Sequence, residues 1–572
     1  MSERNAVAAP LRLGLAAGVV FAPLAAVLAL GAGAASLWLD EITYARLQSD
    51  FALRAAEIGR SGSAVAPYFS NFFYCDVQKV FQSLLAATGL VRFESSPEWL
   101  VRSLSVAAYA ATVVLVGVRA RRRELPGSGT LGAFLFAAAP VFLYYAFEAR
   151  VYALVSFLAV LLLERIEKTA ARVTVPAILA VAFLGVVVAR LHLWTLCLFA
   201  ALFARAAVEV VRRRRATPLA RVLLAASVPA LATIFLEYGF MKATQPPEPL
   251  FALFARQPLG GTLLQTGLSI FEGPLQVQSA FQEPLTRAFV AGCLVLLGVL
   301  VIGALREPEA EGAFGARSAA AVALFALAIS VALAVGFGYF VHGRYQVPLF
   351  AVLFWAVARS LTNRRRLLLA LLFAAAEAVL LPSTAAAIRA KSNDAEIAGV
   401  IAKGGDRSTT AVVVQHGVIS GYPAPHHTIG LDFYLNDVHP GGARIPLFEL
   451  PDLRAVQGDH GTYRYFNGGA PLLSRILEIR PEVFRTWADR EAPADVWVVQ
   501  PLWDVARSRE QIAAFLEVLV GERRYAVAGA FVADGYPRAR VIHLRRGPQA
   551  PGAADSGPGH AANAMVGEQT RQ

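Results

Sequence analysis

Long apolar runs dominate this chain. They are about 17–23 residues each, the length a helix needs to cross hydrocarbon, and they alternate with short polar stretches. Eleven such runs predict membrane-spanning helices, at approximately 13–38, 99–118, 127–146, 150–165, 173–189, 191–209, 217–240, 286–305, 318–341, 346–361 and 367–385. The first run has no obvious small-residue cleavage site and is followed by many more, so it reads as a retained helix rather than a removed signal. Near residue 390 the pattern changes. "TTAVVVQHG", "ADVWVVQP" and "RARVIHLRR" read as buried strands, and "PLLSRILEIRPEVFRTWADR" and "REQIAAFLEVLVGERR" as helices. The expected architecture is a polytopic α-helical membrane protein of 11 transmembrane helices with a C-terminal soluble α/β domain. Its parts are a membrane unit at 1–389, an α/β unit at 390–546, and a Pro-, Gly- and Ala-rich tail at 547–572 that is expected to be disordered.

Charge adds a direction to this pattern. Of 572 residues, 56% are hydrophobic and only 16% charged, against about 25% charged in a soluble domain. Lys and Arg outnumber Asp and Glu by 53 to 41, a formal charge of +12. In a soluble chain that excess would suggest nucleic acid; here the arginines sit between spans, and no nucleic-acid partner is expected. "RARRRE" (119–124), "ERIEKTAAR" (164–172), "RRRR" (212–215), "REPEAEGAFGAR" (306–317) and "NRRR" (363–366) all fall on one side if the N-terminus is cytoplasmic. Short cytoplasmic loops are enriched in Lys and Arg, so the chain is expected in the bacterial inner membrane with its α/β unit periplasmic. Cys75, Cys197 and Cys293 are scattered and form no disulfide framework or CxxC pair.

Four short motifs then land on the outer face: "LDE" (39–41), "YYAFEARVY" (144–152), "ARLHLW" (189–194) and "HGRYQVP" (342–348). Each brings ionisable groups to the end of an apolar span, where burial is costly and such groups usually line a polar cavity. Asp40 and Glu41 offer a base, a metal ligand, or one charged and one protonated acid. Arg150 and Arg344 are permanently charged planar forks suited to phosphate, and His192 adds a donor or base. Acid plus arginines beside the outer leaflet fits a substrate with a hydroxyl to activate and a phosphate to hold.

An Asp-Glu pair just after the first span, an E-A-R-x-Y element after the third and an R-Y-x-x-P element before a late span resemble the GT-C glycosyltransferases. The likeness is to the bacterial branch related to protein O-mannosyltransferases and the lipid A aminoarabinose and galacturonic acid transferases. "PEWLVRSLSVAAYA" (97–110), with Arg102, is similar to their second-span entrance. The resemblance covers roughly residues 10–385. It departs in the first outer loop, where many relatives carry His-Pro-Pro-Leu-Tyr and this chain reads "FFYCDVQKVFQSLLAATGL" (72–90).

The resemblance implies transfer of a sugar, with inversion, from a polyprenyl-phosphate donor to the hydroxyl of an envelope lipid or glycan acceptor. Asp40 would be the base. Arg150 and then Arg344 would stabilise the leaving phosphate, and Arg102 would contact the carrier. Glu41 and Glu148 would orient arginines or sugar hydroxyls, or bind a divalent cation; no other cofactor is expected. Tyr152, His192 and Tyr345 complete the substrate-binding set. No P-loop or well-placed GxGxxG is present, as expected when the donor is already activated.

Plainer readings compete with each assignment. Asp40 and Glu41 could cap a solvated helix end, Glu148 and Arg150 could form a structural ion pair, and His192 could be a satisfied interfacial histidine. Arg344 and Tyr345 could anchor a span at the interface, and Arg102 could snorkel. His416, His426, His427 and His439 read as solvated loop residues rather than metal ligands. At the level of function the alternatives are an envelope polysaccharide polymerase or ligase, and a secondary transporter. One-sided charge clusters and the lack of an evident repeat count against transport.

Overall fold

The computed structural model describes residues 70–88, 97–122, 124–244, 258–271, 284–310, 312–337, 343–389, 392–415, 417–419, 422–424, 426–438, 442–450, 475–477, 480–502, 512–533 and 538–547. The expected first span at 13–38, the pair Asp40 and Glu41, and the tail beyond 547 lie outside the described residues. The described residues divide into two compact units, one of 70–88 and 99–388 and the other of 97–98 and those from 389 onward.

The first unit is helical. Its elements are α1 (Ser70–Ala87), α2 (Pro97–Ala120), α3 (Ser128–Ala138), α4 (Pro140–Ala146), α5 (Tyr152–Ala171), α6 (Val175–Leu191), a 3-10 turn (Leu193–Thr195), α7 (Leu196–Arg213), α8 (Pro218–Thr244), α9 (Leu259–Leu268), α10 (Pro284–Leu305), α11 (Ala316–Phe337), α12 (Gly343–Arg359) and α13 (Arg364–Arg389). A helix occupies each of the ten expected span positions that fall among described residues. Six are long and apolar enough to cross a membrane by length and composition: Glu98–Ala120, Leu193–Arg213, Pro218–Gly239, Arg287–Leu305, Ala316–Gly336 and Arg364–Arg389.

The other four positions differ for local reasons. The run 127–146 is a pair of helices bent by 64°. Proline disfavours helical backbone in the residue before it, and Ala139, just ahead of Pro140, is extended at φ −62°, ψ 120°. Counted as one span, this pair raises the number to seven. Helix α5 carries Glu164, Arg165, Glu167 and Lys168 in its second half, and α6 and α12 have 17 residues each. The described residues thus make an integral membrane protein of six or seven candidate spans rather than showing all eleven.

Packing in this unit relies on small residues and on ion pairs at the arginine-rich helix ends. At Gly185 of α6 an added Cβ would sit 2.5 Å from the carbonyl oxygen of Ala226 in α8. Between apolar helices such close approach is a main source of association, because lipid tails remove any hydrophobic preference. The arginine clusters do more than set orientation. Arg119 forks onto Glu164, which Lys168 also reaches at 2.8 Å; Arg359 pairs with Glu167, and Arg366 with Glu307. Arg122 donates to the Arg359 carbonyl at 2.7 Å, so α2, α5 and α12 are tied at one end.

The second unit contains α14 (Asp394–Gly404), β1 (Thr410–Gln415), β2 (Gly417–Ile419), β3 (Tyr422–Ala424), α15 (His426–Asp432), a π-helical turn (Phe433–Val438), β4 (Leu447–Leu450), β5 (Arg475–Ile476), α16 (Pro481–Glu491), β6 (Asp495–Pro501), a helical segment at 512–522, β7 (Tyr525–Ala533) and β8 (Ala539–Arg546). Six strands form one sheet in the order β5-β4-β1-β6-β8-β7. Strands β5, β4, β1 and β6 are parallel; β8 runs antiparallel to β6, and β7 to β8. Strands β1 and β6 are buried along their whole length, as their continuous apolar runs require when both faces are covered. One face packs Val413, Phe448 and Val498 against Phe484 and Trp487 of α16 and Phe515.

Two expectations fail here. "PLLSRILEIRPEVFRTWADR" is not one helix: Arg475–Ile476 pair in the sheet, and the helix starts only at Pro481. Arg480 before that proline is extended, and proline suits the first helical position because its missing N–H has no partner there. His427 is not a solvated loop residue; it lies in α15 with 2% of its surface exposed.

The α6–α8 contact gives a test. Gly185→Leu must drive a side chain into the α8 backbone, an overpacking cost of about 1–3 kcal/mol. The purified variant should melt several degrees below wild type in detergent; an unchanged melting temperature would mean the two helices are not in contact there.

Candidate functional site

Three of the four motifs contain described residues, and these converge. The bend between α4 and α5 carries Glu148, Arg150 and Tyr152. The break between α6 and α7 carries His192, which is extended at φ −156°, ψ 119°. The turn after it is fixed locally: the Thr195 hydroxyl donates to the His192 carbonyl at 2.7 Å and the Thr195 N–H at 3.1 Å. Helix α12 begins at Gly343, so Arg344 and Tyr345 sit in its first turn.

These residues form a continuous row. The Arg150 guanidinium lies 5.3 Å from the Tyr152 ring centre. Tyr152 meets His192 edge-on at 5.4 Å, and His192 meets Tyr345 at 5.8 Å. Arg344 lies 5.3 Å from the Tyr345 ring. An arginine therefore stands at each end of a Tyr–His–Tyr row assembled from three separated parts of the chain. Cations near ring faces gain about 0.5–2 kcal/mol, more as water is excluded. The buried Nδ1 of His192 has no hydrogen-bond partner among the described residues.

The surrounding residues hold this row. Ser105 of α2 donates to the Arg150 carbonyl at 3.1 Å, and Tyr74 of α1 contacts the Ser105 hydroxyl at 3.3 Å. Arg102 is fully buried one turn before Ser105, on the same face of α2. Glu148 is buried in the Arg150 bend, its N–H donating to the Tyr145 carbonyl at 3.3 Å. Arg190, although part of the His192 motif, turns away and pairs with Glu237 of α8. Gln346, directly after Tyr345, donates to Thr266 of α9 at 3.2 Å and Ser330 of α11 at 3.3 Å.

The structure thus brings Arg150, Tyr152, His192, Arg344 and Tyr345 together, with Glu148 and Arg102 beside the Arg150 bend. Asp40 and Glu41 lie outside the described residues. Sequence reasoning missed Trp194, which stacks on Tyr345 at 5.6 Å and 14°. Its signal was its place two residues after His192. It missed Ser105 and Gln346 as well, whose neighbours are 45 and 80 residues away in sequence. Among the described residues no group of three or more His, Cys, Asp or Glu could hold a metal.

No family model matches the chain, and no curated protein matches it. Among solved structures it is similar to ArnT from Cupriavidus metallidurans bound to undecaprenyl phosphate, with 15% identity over 96% of this chain and 100% of that one and a TM-score of 0.49. It is likewise similar to the same protein in the apo state, at 14% identity over the same shares and a TM-score of 0.47.

Proposed function

We propose that this chain is an integral-membrane glycosyltransferase of the inner membrane, using a polyprenyl-phosphate-linked sugar on the outer face. The observation that carries the reading is the row Arg150–Tyr152–His192–Tyr345–Arg344. A permanent cation stands at each end of the row around the buried imidazole, and Arg344 sits in the first turn of the 17-residue α12, the positive end of its dipole. Such a place favours a ligand with concentrated negative charge and disfavours a cation.

A glycosyl phosphate donor uses this arrangement directly. As the bond between the anomeric carbon and the phosphate oxygen breaks, the phosphate gains charge. Preorganised cations away from bulk water stabilise that change without having to reorient. Arg150 and Arg344 take this role, and Arg102 contacts the carrier. Tyr152, Tyr345 and Trp194 supply flat faces that suit a sugar ring. Asp40 is the base: it removes the proton of the acceptor hydroxyl as that oxygen attacks the anomeric carbon with inversion. Glu41 and Glu148 orient the arginines and sugar hydroxyls. The acceptor is an envelope lipid or glycan.

The test supplies isolated membranes with radiolabelled polyprenyl-phosphate sugars and envelope lipid acceptors. Asp40→Asn should lower transfer about 10²–10⁴-fold at matched protein levels, and Arg150→Gln or Arg344→Gln about 10²–10³-fold. Normal transfer by all three would end the proposal. Cysteines introduced beside residues 41 and 345 should react with impermeant thiol reagents from the outer side; reaction from the cytoplasmic side alone would reverse the topology.

A further inference from the structure

The second unit buries a histidine that the transferase reading does not use. His427 is 2% exposed, and its Nδ1 lies 2.7 Å from Oδ1 of Asp394, itself 3% exposed. The other carboxylate oxygen accepts from the Ser392 hydroxyl at 3.0 Å. Asn393, between them, donates to the Ala533 carbonyl at 3.1 Å and so ties the segment to β7. Helix α15 presses on the pair: at Gly430 any Cβ would collide with the Asp394 carboxylate. A glycine there and three anchoring bonds make this a built arrangement.

One atom is left over. A carboxylate oxygen accepts, so the facing Nδ1 donates, and in that tautomer Nε2 carries the lone pair. Nε2 is buried and has no hydrogen-bond partner among the described residues. Buried polar atoms in folded proteins are nearly always paired, and each exception asks for an explanation.

Position supplies one. Helix α14 leads into β1 through residues 405–409, so its first turn, with Asp394, lies at the carboxyl end of the parallel strands. Helix α15 starts beyond that same end of β1. The strand order reverses at β1: the chain moves to β4 and β5 on one side and returns to β6 on the other. In open α/β sheets this crevice is where ligands bind.

The surroundings select the ligand. Asp432 and Glu449 are buried in the same layer, on α15 and on β4, at 4% and 1% exposure. Asp432 is shared with the Arg444 guanidinium at 3.6 Å, and the carboxylates of Asp394 and Glu449 repel phosphate and other anions. The described residues offer no third ligand for a metal. What remains is a neutral donor of O–H groups, held against a fixed acceptor. We propose that the α/β unit carries its own binding site for a neutral or amino sugar, with Nε2 of His427 accepting from a ligand hydroxyl. This does not rest on the transferase reading.

Equilibrium dialysis of the full-length protein tests it, in a detergent without a sugar head group, against a radiolabelled panel of neutral and amino hexoses and pentoses. Wild type should bind at least one member saturably. His427→Ala should weaken binding at least 10-fold. Asp394→Asn should do the same, because its amide donates to Nδ1 and moves the ring proton to Nε2. Melting curves show that the variants are folded, and His427→Gln, whose carbonyl can still accept, should retain part of the affinity if His427→Ala does not fold. Arg150→Gln should bind like wild type. The proposal is overturned if no sugar in the panel binds, if the His427 and Asp394 variants bind as wild type does, if inorganic phosphate displaces the sugar, or if His427 is needed only for uptake of Zn²⁺.

Discussion

A guanidinium at the edge of a bilayer must be surrounded by groups that replace its water, and the helical unit is organised around two solutions to that constraint. In the first, arginine is neutralised by a carboxylate on another helix, as in Arg119–Glu164, Arg190–Glu237, Arg359–Glu167 and Arg366–Glu307. These pairs lie across helix contacts and join elements far apart in sequence. In the second, Arg150 and Arg344 lie near tyrosine rings. A ring lowers the energy of the cation without cancelling its charge. The first arrangement joins helices; the second lines the buried row around His192.

The helix breaks follow from the same constraint. A regular helix through residues 189–196 would hide the His192 carbonyl in the backbone ladder and swing its ring away from Tyr152 and Tyr345. Instead α6 ends at Leu191, His192 is extended, and Thr195 satisfies the freed carbonyl. The bend at Ala139–Pro140 similarly places the short α4 ahead of the Arg150 turn. Irregular backbone at membrane depth is tolerated where it is covered by protein, and both breaks are buried.

Much of this was legible in the sequence, for identifiable reasons. Apolar run length marked ten of the helix positions in the first unit, though not α1 or α9, because the need to satisfy backbone groups in hydrocarbon leaves little alternative to helix. The site motifs were legible because an ionisable residue at the end of an apolar run is costly enough to be informative by itself. Trp194 and Gln346 were hidden because an aromatic or an amide in that setting is ordinary; only its neighbours give it meaning. Pairing in three dimensions also redefined Arg190, which shares a motif with His192 but pairs with Glu237 of α8. In the second unit the strands of continuous Val runs were plain, whereas "PLLSRILEIRPEV" misled because a two-residue strand leaves almost no period to read. His427 was misjudged because its partner Asp394 is 33 residues away and loop-like neighbours such as Pro425 made burial look improbable.

The two histidines show how one side chain is given opposite electrostatic settings. His192 is buried in a row with a guanidinium group at each end. His427 faces a carboxylate that fixes its tautomer and leaves a single buried lone pair without a partner among the described residues. The first setting suits a negatively charged ligand, which the arginines hold. The second rejects such a ligand and suits a neutral one. The two proposed sites therefore differ in kind, one suited to an anion and the other to a group rich in hydroxyls.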